Sequence, residues 1–188
     1  MKQGKAPFIP VDHLPRILTA CEGCHKLRDQ SIVLISHYLG LRAMEIAALR
    51  IGDVLQCGQL VDTVRLLRSM TKGAKFREAY IVNEHLRLVL SQYLEERGPT
   101  LSCKPLFLSQ KGGHFSPNSM QRQLARIYSK AGIKASSHSG RRSFATRLIQ
   151  GGADIYSIKE LMGHTSIATT QVYFFTSPER LKSVAAML

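Results

Sequence analysis

The sequence predicts a single α+β domain that is mainly helical and carries a small antiparallel β-sheet. Two observations support this prediction. Apolar residues recur at helical spacing over most of the 188-residue chain, and one stretch, from Gln59 to Val82, changes to a β-prone pattern. A chain of this length can bury a hydrophobic core without metals or disulfides. No linker or repeat divides it, so residues 1–188 are predicted to form one domain.

The first part of the chain is predicted to contain three helices. Asp12 is a candidate cap for the helix "HLPRILTAC", in which Pro15 is tolerated in the first turn. The segment "KLRDQSIVLISHYLG" keeps helical spacing and stops at Gly40. The segment "RAMEIAALR" follows as a short helix that buries Ile46 and Leu49.

The β-prone stretch is predicted to form an antiparallel hairpin. Its strands "LVDTVRLL" and "FREAYIV" flank "SMTKGAKF", so the turn would carry Lys72 and Lys75. The next helix, "NEHLRLVLSQYLEER", is capped by Asn83 and ends before Gly98.

The second half is predicted to be helical. Ser116 caps "PNSMQRQLARIYSKAG", and Pro117 occupies its first position. Arg122, Arg126 and Lys130 recur every four residues, so they share one face of this helix. Two helices, "GRRSFATRLIQGG" and "DIYSIKELMG", precede the short helix or turn "SIATTQVYFF" and a closing helix, "TSPERLKSVAAML".

The charge of the chain favours a polyanionic partner. Lys and Arg number 26 against 13 acids, and no Asp or Glu occurs between Arg97 and Ala153. Ten cations fall in that span: Arg97, Lys104, Lys111, Arg122, Arg126, Lys130, Lys134, Arg141, Arg142 and Arg147. Such a field favours nucleic acid ahead of acidic lipid. The alternative is a solvated basic surface that serves solubility.

No segment indicates export or a membrane. The apolar patch from Ser31 to Leu41 is too short to span a bilayer, and the N-terminus lacks an apolar signal region. A cytoplasmic location with no membrane partner is therefore expected, and the four cysteines should be reduced.

The segment "CEGCH", from Cys21 to His25, has the spacing of covalent haem attachment. That attachment requires export in most systems. A zinc site needs a second pair of ligands at close spacing, whereas Cys57 and Cys103 stand alone. The two cysteines of this segment are predicted to pack as small hydrophobes.

Six polar residues interrupt the apolar pattern of their segments. They are Arg42, Lys72, His138, Arg141, His164 and Tyr173. In "SHSGRRSFAT" no acid lies near the cations, so burial there would require an anion from elsewhere. Glu45 follows Arg42 by three residues and is within reach to brace its guanidinium.

Each of these residues also has a structural interpretation. His164 alone would more often be a satisfied structural histidine, and Tyr173 could be an aromatic wedge in the core. Lys72 could be a solvated turn residue, with Lys75 as the alternative for its role. Their occurrence together at ordered positions favours a functional site.

Four segments together resemble a known family. "LGLRAMEIAALR", "TKGAKFREAYIV", "HSGRRSFATRLIQGGADIYSIKELMGH" and "TSIATTQVYF" are similar, in order and spacing, to the signature boxes of the tyrosine recombinases of the phage-integrase family. The resemblance runs from Gly40 to Tyr173. It implies the fold of the DNA breaking-rejoining enzymes, with site-specific recombination of duplex DNA as the activity.

The resemblance also implies roles for the six residues. Tyr173 matches the nucleophile that attacks the scissile phosphate and forms a 3′-phosphotyrosyl link. Arg42 and Arg141 match the pair that holds the non-bridging oxygens, for which a planar guanidinium is suited.

The remaining three residues match groups that move protons. Lys72 matches the lysine that protonates the leaving 5′ oxygen, and His138 and His164 match the positions that assist proton transfer and hold the phosphate. The phosphotyrosyl bond stores the energy for rejoining, so no ATP, metal ion or other cofactor is expected.

Two positions depart from the family pattern H-x-L-R-H. Gly140 replaces the leucine and Arg142 replaces the second histidine. The loss of the leucine is expected to loosen the packing that aims Arg141. Arg142 is expected to add a phosphate contact or a conflict.

The implied partners are double-stranded DNA and further copies of the chain. Lys75, Arg122, Arg126, Lys130 and Arg142 are the candidate DNA contacts. The expected assembly is a tetramer in synapsis, with a monomer or dimer off DNA, and the helix at 178–188 is expected to dock on a neighbouring subunit.

The N-terminal part is short for this family. About 40 residues precede Arg42, so the chain is either a truncation or a minimal recombinase without the core-binding domain. Two other activities fit the same motifs. A type IB topoisomerase-like enzyme would relax supercoils on arbitrary DNA, and a catalytically idle DNA-binding regulator would tolerate loss of the Tyr173 hydroxyl.

Overall fold

A computed structural model describes residues 6–67 and 76–174, together with residue 186. Its helices are α1 (Leu14–Thr19), α2 (Lys26–Tyr38), α3 (Ala43–Ala48), α4 (Ile51–Val54), α5 (Glu84–Arg97), α6 (Pro117–Lys130), α7 (Ser139–Gln150), α8 (Ile155–Met162) and α9 (Ile167–Gln171). Its strands are β1 (Leu55–Gln56), β2 (Gln59–Leu60), β3 (Thr63–Leu66) and β4 (Arg77–Tyr80). The predicted turn with Lys72 and Lys75, and the predicted closing helix apart from residue 186, lie outside the described residues.

Helix α2 forms the centre of the main core. The side chains from Ile32 to Ile35 are fully buried, so α2 is covered on all sides rather than on one stripe. It packs against α5 and α7, while α3 packs against α6. The predicted helix after Gly40 buries Ile46 and Leu49, as expected from the sequence.

Two antiparallel hairpins lie beside the helices. Strands β3 and β4 pair with Leu66 opposite Arg77, which confirms the predicted antiparallel pairing of these two strands. Strands β1 and β2 form a second, shorter hairpin that the sequence pattern did not indicate. Its two-residue turn places Cys57 at φ 48° and Gly58 at φ 76°, as a type I′ turn requires. Cysteine is not a usual residue for such a turn, which concealed it.

Side-chain caps fix the starts of several helices. Asn83 accepts a hydrogen bond from the Leu86 N–H, and Ser116 accepts one from the Ser119 N–H, so both predicted caps are confirmed. The prediction for Asp12 is wrong. Residues Val11–His13 form a one-turn 3-10 helix, and α1 begins after His13 without a side-chain cap.

The apolar residues form a large cluster and a small one. The small cluster lies under α7 and α8 and is built from Ala145, Ile149, Ile158 and Met162, with Tyr173 packed against it. Arg42 directly precedes α3, whose residues Ala43, Ile46 and Ala47 belong to the large cluster. The candidate catalytic residues therefore come from both sides of the seam between the clusters.

The two cysteines of the "CEGCH" segment lie in different environments. Cys21 is buried, and burial raises the pKa of its thiol to about 12, whereas Cys24 is exposed in a 3-10 turn. The prediction of two packed cysteines is therefore right for Cys21 and wrong for Cys24. Within residues 6–67 and 76–174, no cluster of three His, Cys, Asp or Glu residues is arranged to hold a metal ion. In the same part of the chain, no helix has both the length and the apolar character to cross a membrane.

Candidate active site

Three arginines converge on the C-terminal end of α8. Arg77 Nη1 donates to the Leu161 carbonyl at 2.6 Å, Arg141 Nη2 donates to that of Met162, and Arg42 Nη2 lies 3.4 Å from that of Gly163. The last carbonyls of a helix lack intrahelical partners and form the negative end of its dipole. The three guanidinium groups therefore gather at successive carbonyls just before His164.

The carboxylate of Glu45 joins two of these arginines. It is fully buried in the first turn of α3, accepts from Arg42 Nη1 at 2.8 Å and from the Arg42 backbone N–H at 2.7 Å, and accepts from Arg77 Nη2 at 2.6 Å. Glu45 thus braces Arg42, as expected. Burial alone would raise the pKa of Glu45, but the Arg77 and Arg141 charges hold it below its usual range. Glu45 is therefore ionised at neutral pH.

Arg141 lies in the first turn of α7 and is 5% exposed. Its Nη1 donates to the Gly40 carbonyl at 2.5 Å, in addition to the contact with Met162. Burial, together with Arg42 and Arg77, lowers the pKa of Arg141 to about 9, so it remains a cation at neutral pH. A guanidinium carries more N–H donors than these contacts use, which leaves donors for a bound anion.

His164 and Tyr173 form the next layer of the site. His164 follows Gly163, which ends α8 in the left-handed conformation at φ 59°. Its Nδ1 is hydrogen-bonded to Thr170 Oγ1 at 2.9 Å, which leaves Nε2 for a substrate. The rings of His164 and Tyr173 are parallel within 9° with their centroids 6.2 Å apart.

The electrostatics of the site keep its histidines neutral. Burial and the nearby Arg141 and Arg42 charges lower the pKa of His164 to about 4. Partial desolvation of the ring, followed by the same two charges, lowers the pKa of His138, the residue before α7, although most of this residue is accessible to solvent. Tyr173 lies within electrostatic range of Arg141. The site therefore combines a surplus of fixed positive charge with two neutral imidazoles.

The structure brings together five of the six predicted residues: Arg42, His138, Arg141, His164 and Tyr173. Lys72 lies outside the described residues. Arg77 and Thr170 belong to the same neighbourhood and were missed. The sequence does contain a signal for Arg77. Side chains alternate along a strand, so Arg77 lies on the same buried side of β4 as Ala79, where a charged residue is unusual. Nothing in the sequence pattern distinguishes Thr170.

Gly140 does not loosen the packing, so that expectation is wrong. A Cβ at this position would lie 2.4 Å from Ser36 Oγ and 2.9 Å from His37 Cδ2. The missing side chain allows α7 to approach α2 closely, and this approach places Arg141 beside Gly40.

Arg142 and its neighbour hold the N-terminal segment against α7. Arg142 is half-buried, and its Nη1 donates to the Ala6 carbonyl at 2.6 Å. Ser143 Oγ accepts from the Ile9 N–H at 2.9 Å. Part of the donor capacity of Arg142 is therefore used within the chain.

Helix α6 carries an exposed cationic stripe. Arg122, Arg126 and Lys130 are exposed, and the opposite face is buried in the core. Arg122 and Arg126 line a cleft of 540 Å³ together with Lys111 and His114. Lys75, the other candidate on the hairpin turn, lies outside the described residues.

The chain is similar to known recombinases over most of its length. It matches the phage integrase family over residues 7–180. It is 37% identical to tyrosine recombinase XerC of Myxococcus xanthus over 167 residues, which cover 84% of this chain and 53% of XerC. The chain therefore spans about half the length of this relative.

Solved structures show the same fold. The crystal structure of XerA recombinase superposes with a TM-score of 0.77 at 25% identity, covering 98% of this chain and 66% of that chain. The XerH site-specific recombinase in a post-cleavage complex with a palindromic difH substrate gives a TM-score of 0.73 at 26% identity, covering 98% of this chain and 54% of that chain.

Proposed function

The chain belongs to the phage integrase family, and we propose that it is the catalytic part of a site-specific recombinase that cleaves and rejoins duplex DNA. The observation that carries this proposal is the grouping of Arg42, Arg141 and His164 around the end of α8, with the Tyr173 ring stacked on His164. These groups supply a nucleophile and a cationic cradle at one place.

In the proposed reaction, Tyr173 Oη attacks a backbone phosphorus. A bond forms between this oxygen and phosphorus as His138 accepts the phenol proton, the bond to the 5′ oxygen breaks, and Lys72 gives the leaving oxygen its proton. Arg42 and Arg141 stabilise the charge that grows on the non-bridging oxygens, because preorganised donors cost no reorganisation at the moment of reaction. A 5′ hydroxyl then attacks the phosphotyrosyl bond, so rejoining needs no ATP.

The histidines complete the site in this proposal. His164 is neutral at pH 7 and presents Nε2, because Thr170 holds Nδ1. It can therefore hydrogen-bond a phosphate oxygen without adding a charge. His138 lies at the accessible edge, where it assists proton transfer.

The proposed substrate is double-stranded DNA held by phosphate contacts. Arg122, Arg126 and Lys130 offer an acid-free cationic face on a rigid helix. Lys75 and Arg142 are the remaining proposed contacts. Binding that rests on phosphates releases counterions, so affinity should fall steeply with salt.

We further propose assembly into a homo-oligomer on DNA, with residues 178–188 docked on a neighbouring subunit. The sequence of this segment places Leu181 and Leu188 on one side of a predicted helix. An apolar cleft of 500 Å³, lined in part by Phe144, Leu148 and Leu161, supports the proposal because it offers a matching surface. Unchanged cooperativity of assembly after deletion of 178–188 would refute this docking.

The cleavage proposal is tested with a pool of nicked suicide duplexes of randomised sequence. The nick lets a short fragment diffuse away, which traps the covalent intermediate. Wild-type protein should form an adduct in EDTA, and Tyr173→Phe should form none. The assignment of Tyr173 as the nucleophile would be refuted if Tyr173→Phe still formed an adduct, or if the wild-type protein formed none. Relaxation of unrelated supercoiled plasmid would instead indicate a topoisomerase.

A further inference from the structure

Arg77 occupies a strand position at which an apolar residue would be expected. Its side chain is 5% exposed and points to the same side of β4 as the buried Ala79. Burying a guanidinium is costly unless its donors are engaged, and Arg77 Nε has no hydrogen-bond partner among the described residues. An apolar side chain would avoid this cost, so the contacts of Arg77 need another explanation.

Arg77, on β4, contacts two other segments of the site, the start of α3 and the end of α8. Its Nη2 donates to Glu45 Oε2 and its Nη1 donates to the Leu161 carbonyl, both at 2.6 Å. Its stem packs on Gly163, where a Cβ would lie 2.4 Å from Arg77 Cδ. One side chain on β4 therefore contacts the first turn of α3 and the turn that leads into His164.

We propose that Arg77 is a positioning residue for strand cleavage, holding Arg42 through Glu45 and holding His164 through the end of α8. The inference rests on the proposed function of the site. Arg77 itself is buried and touches no reacting atom in this proposal.

The contact distances explain why Arg77 matters for Arg42. Glu45 Oε2 has two close donors, the Arg42 backbone N–H and Arg77 Nη2. Without Arg77, the carboxylate keeps its charge but loses one of its two guanidinium partners. The Arg42 side chain is then drawn more strongly onto Glu45 and away from a phosphate.

The end of α8 depends on Arg77 in a similar way. Arg77 holds Leu161 at 2.6 Å, whereas the contact of Arg42 with Gly163 is long, at 3.4 Å. Loss of Arg77 leaves the carbonyls before His164 with the side-chain contact of Arg141 and the long one of Arg42. A displacement of about 1 Å at a reacting group can reduce a rate by about 10²-fold.

The test compares Arg77→Met and Arg77→Lys with Arg65→Met. Arg65 is the matched control because it lies on the paired strand β3, is 75% exposed at its side chain and makes only a 3.8 Å contact with Glu78. The substrate is a nicked duplex recovered from the randomised pool. The readouts are the single-turnover rate of adduct formation at saturating DNA, the DNA affinity by fluorescence anisotropy and the thermal midpoint.

Arg77→Met should cleave about 10²-fold more slowly at saturating DNA, while its DNA affinity changes by less than about threefold. Arg77→Lys should recover part of the rate, and Arg65→Met should match the wild type. A rate in Arg77→Met equal to the wild type, or lowered only in proportion to the unfolded fraction, would overturn the inference. If Arg77→Met does not fold, cleavage by Arg77→Lys at the wild-type rate would likewise overturn the inference.

A second readout separates this inference from the proposed function. A wild-type protein that forms no adduct refutes recombinase chemistry, but the ring resonances of His164 still report on Arg77. Among the described residues, the charges of Arg141, Arg42 and Arg77 lower the pKa of His164, so removing Arg77 should raise this pKa and shift the ring signals. Unchanged signals and titration in Arg77→Met would refute positioning even in an inactive protein.

Discussion

At residue 140, α7 passes so close to α2 that a side chain larger than hydrogen has little room. Ser36 Oγ, Ser36 Cβ and His37 Cδ2 would lie 2.4, 3.0 and 2.9 Å from an added Cβ. The comparison with the family pattern H-x-L-R-H identified this position but not the sign of its effect. The motif spacing shows that the leucine side chain is absent at this position. Only the packing of α7 against α2 shows that its absence allows the two helices to approach closely.

Gly140→Ala should lower the free energy of unfolding by about 1–2 kcal/mol, because overpacking outweighs the gain in helix propensity. Gly140→Leu should lower it further. The measurement is urea denaturation. Gly151→Ala at the other end of α7 is the control, since its Cβ would meet atoms at 3.4 Å, an ordinary contact distance. A Gly140→Ala protein as stable as the wild type would contradict the packing described for α7.

His37 should make the protein sensitive to mild acid. It is buried, lies 3.3 Å from Tyr128 Oη and has the Arg147 charge nearby; burial first, and then this charge, lower its pKa to about 3. The unfolded chain binds a proton near its ordinary pKa of about 6.5, but the folded chain does not. Stability should therefore fall as pH drops below about 6.5, by about 1.4 kcal/mol per pH unit, and His164 adds an effect of the same sign.

Urea midpoints between pH 6.5 and pH 5 measure this effect, because Glu45 begins to contribute only at lower pH. His37→Gln should reduce the pH dependence in this window to the part that His164 contributes. His85→Gln, at an exposed position, should leave it unchanged. A wild-type stability that is constant over the window would contradict the burial of neutral His37.

At the scale of elements, the long periodic helices were predictable and the short ones were not. Helices α2, α5 and α6 have enough turns for their apolar spacing and caps to be recognised. Helix α4 and the β1–β2 hairpin are only a few residues long, so neither periodicity nor composition marks them. The predicted cap at Asp12 was wrong because Asp12 lies within a 3-10 turn that precedes α1.

The stripe on α6 should govern the salt dependence of DNA binding. Replacing Arg122, Arg126 and Lys130 with Gln should weaken binding and reduce the slope of log K against log salt by about 3, roughly 1 for each lost phosphate contact. Fluorescence anisotropy with a duplex at several salt concentrations measures the slope. Arg65→Gln removes an exposed charge from the hairpin and should leave the slope unchanged. An unaltered slope in the triple variant would place the DNA on another face.

At the scale of the whole molecule, the site is assembled from segments that are distant in sequence. The family resemblance identified Arg42, Arg141, His164 and Tyr173 by residue type and spacing, but not their common support at the end of α8. Arg77 supplies part of that support from β4, across 84 residues of chain from Leu161. Contacts of this kind depend on how helices and strands pack, which short-range patterns do not encode.

The direct test of the whole account is to identify the amino acid that carries the DNA. The trapped adduct is digested with nuclease and protease, and the modified peptide is sequenced by mass spectrometry. The expected result is a nucleotide attached through a 3′ phosphate to Tyr173. A nucleotide on any other residue, or a 5′ linkage, would contradict it.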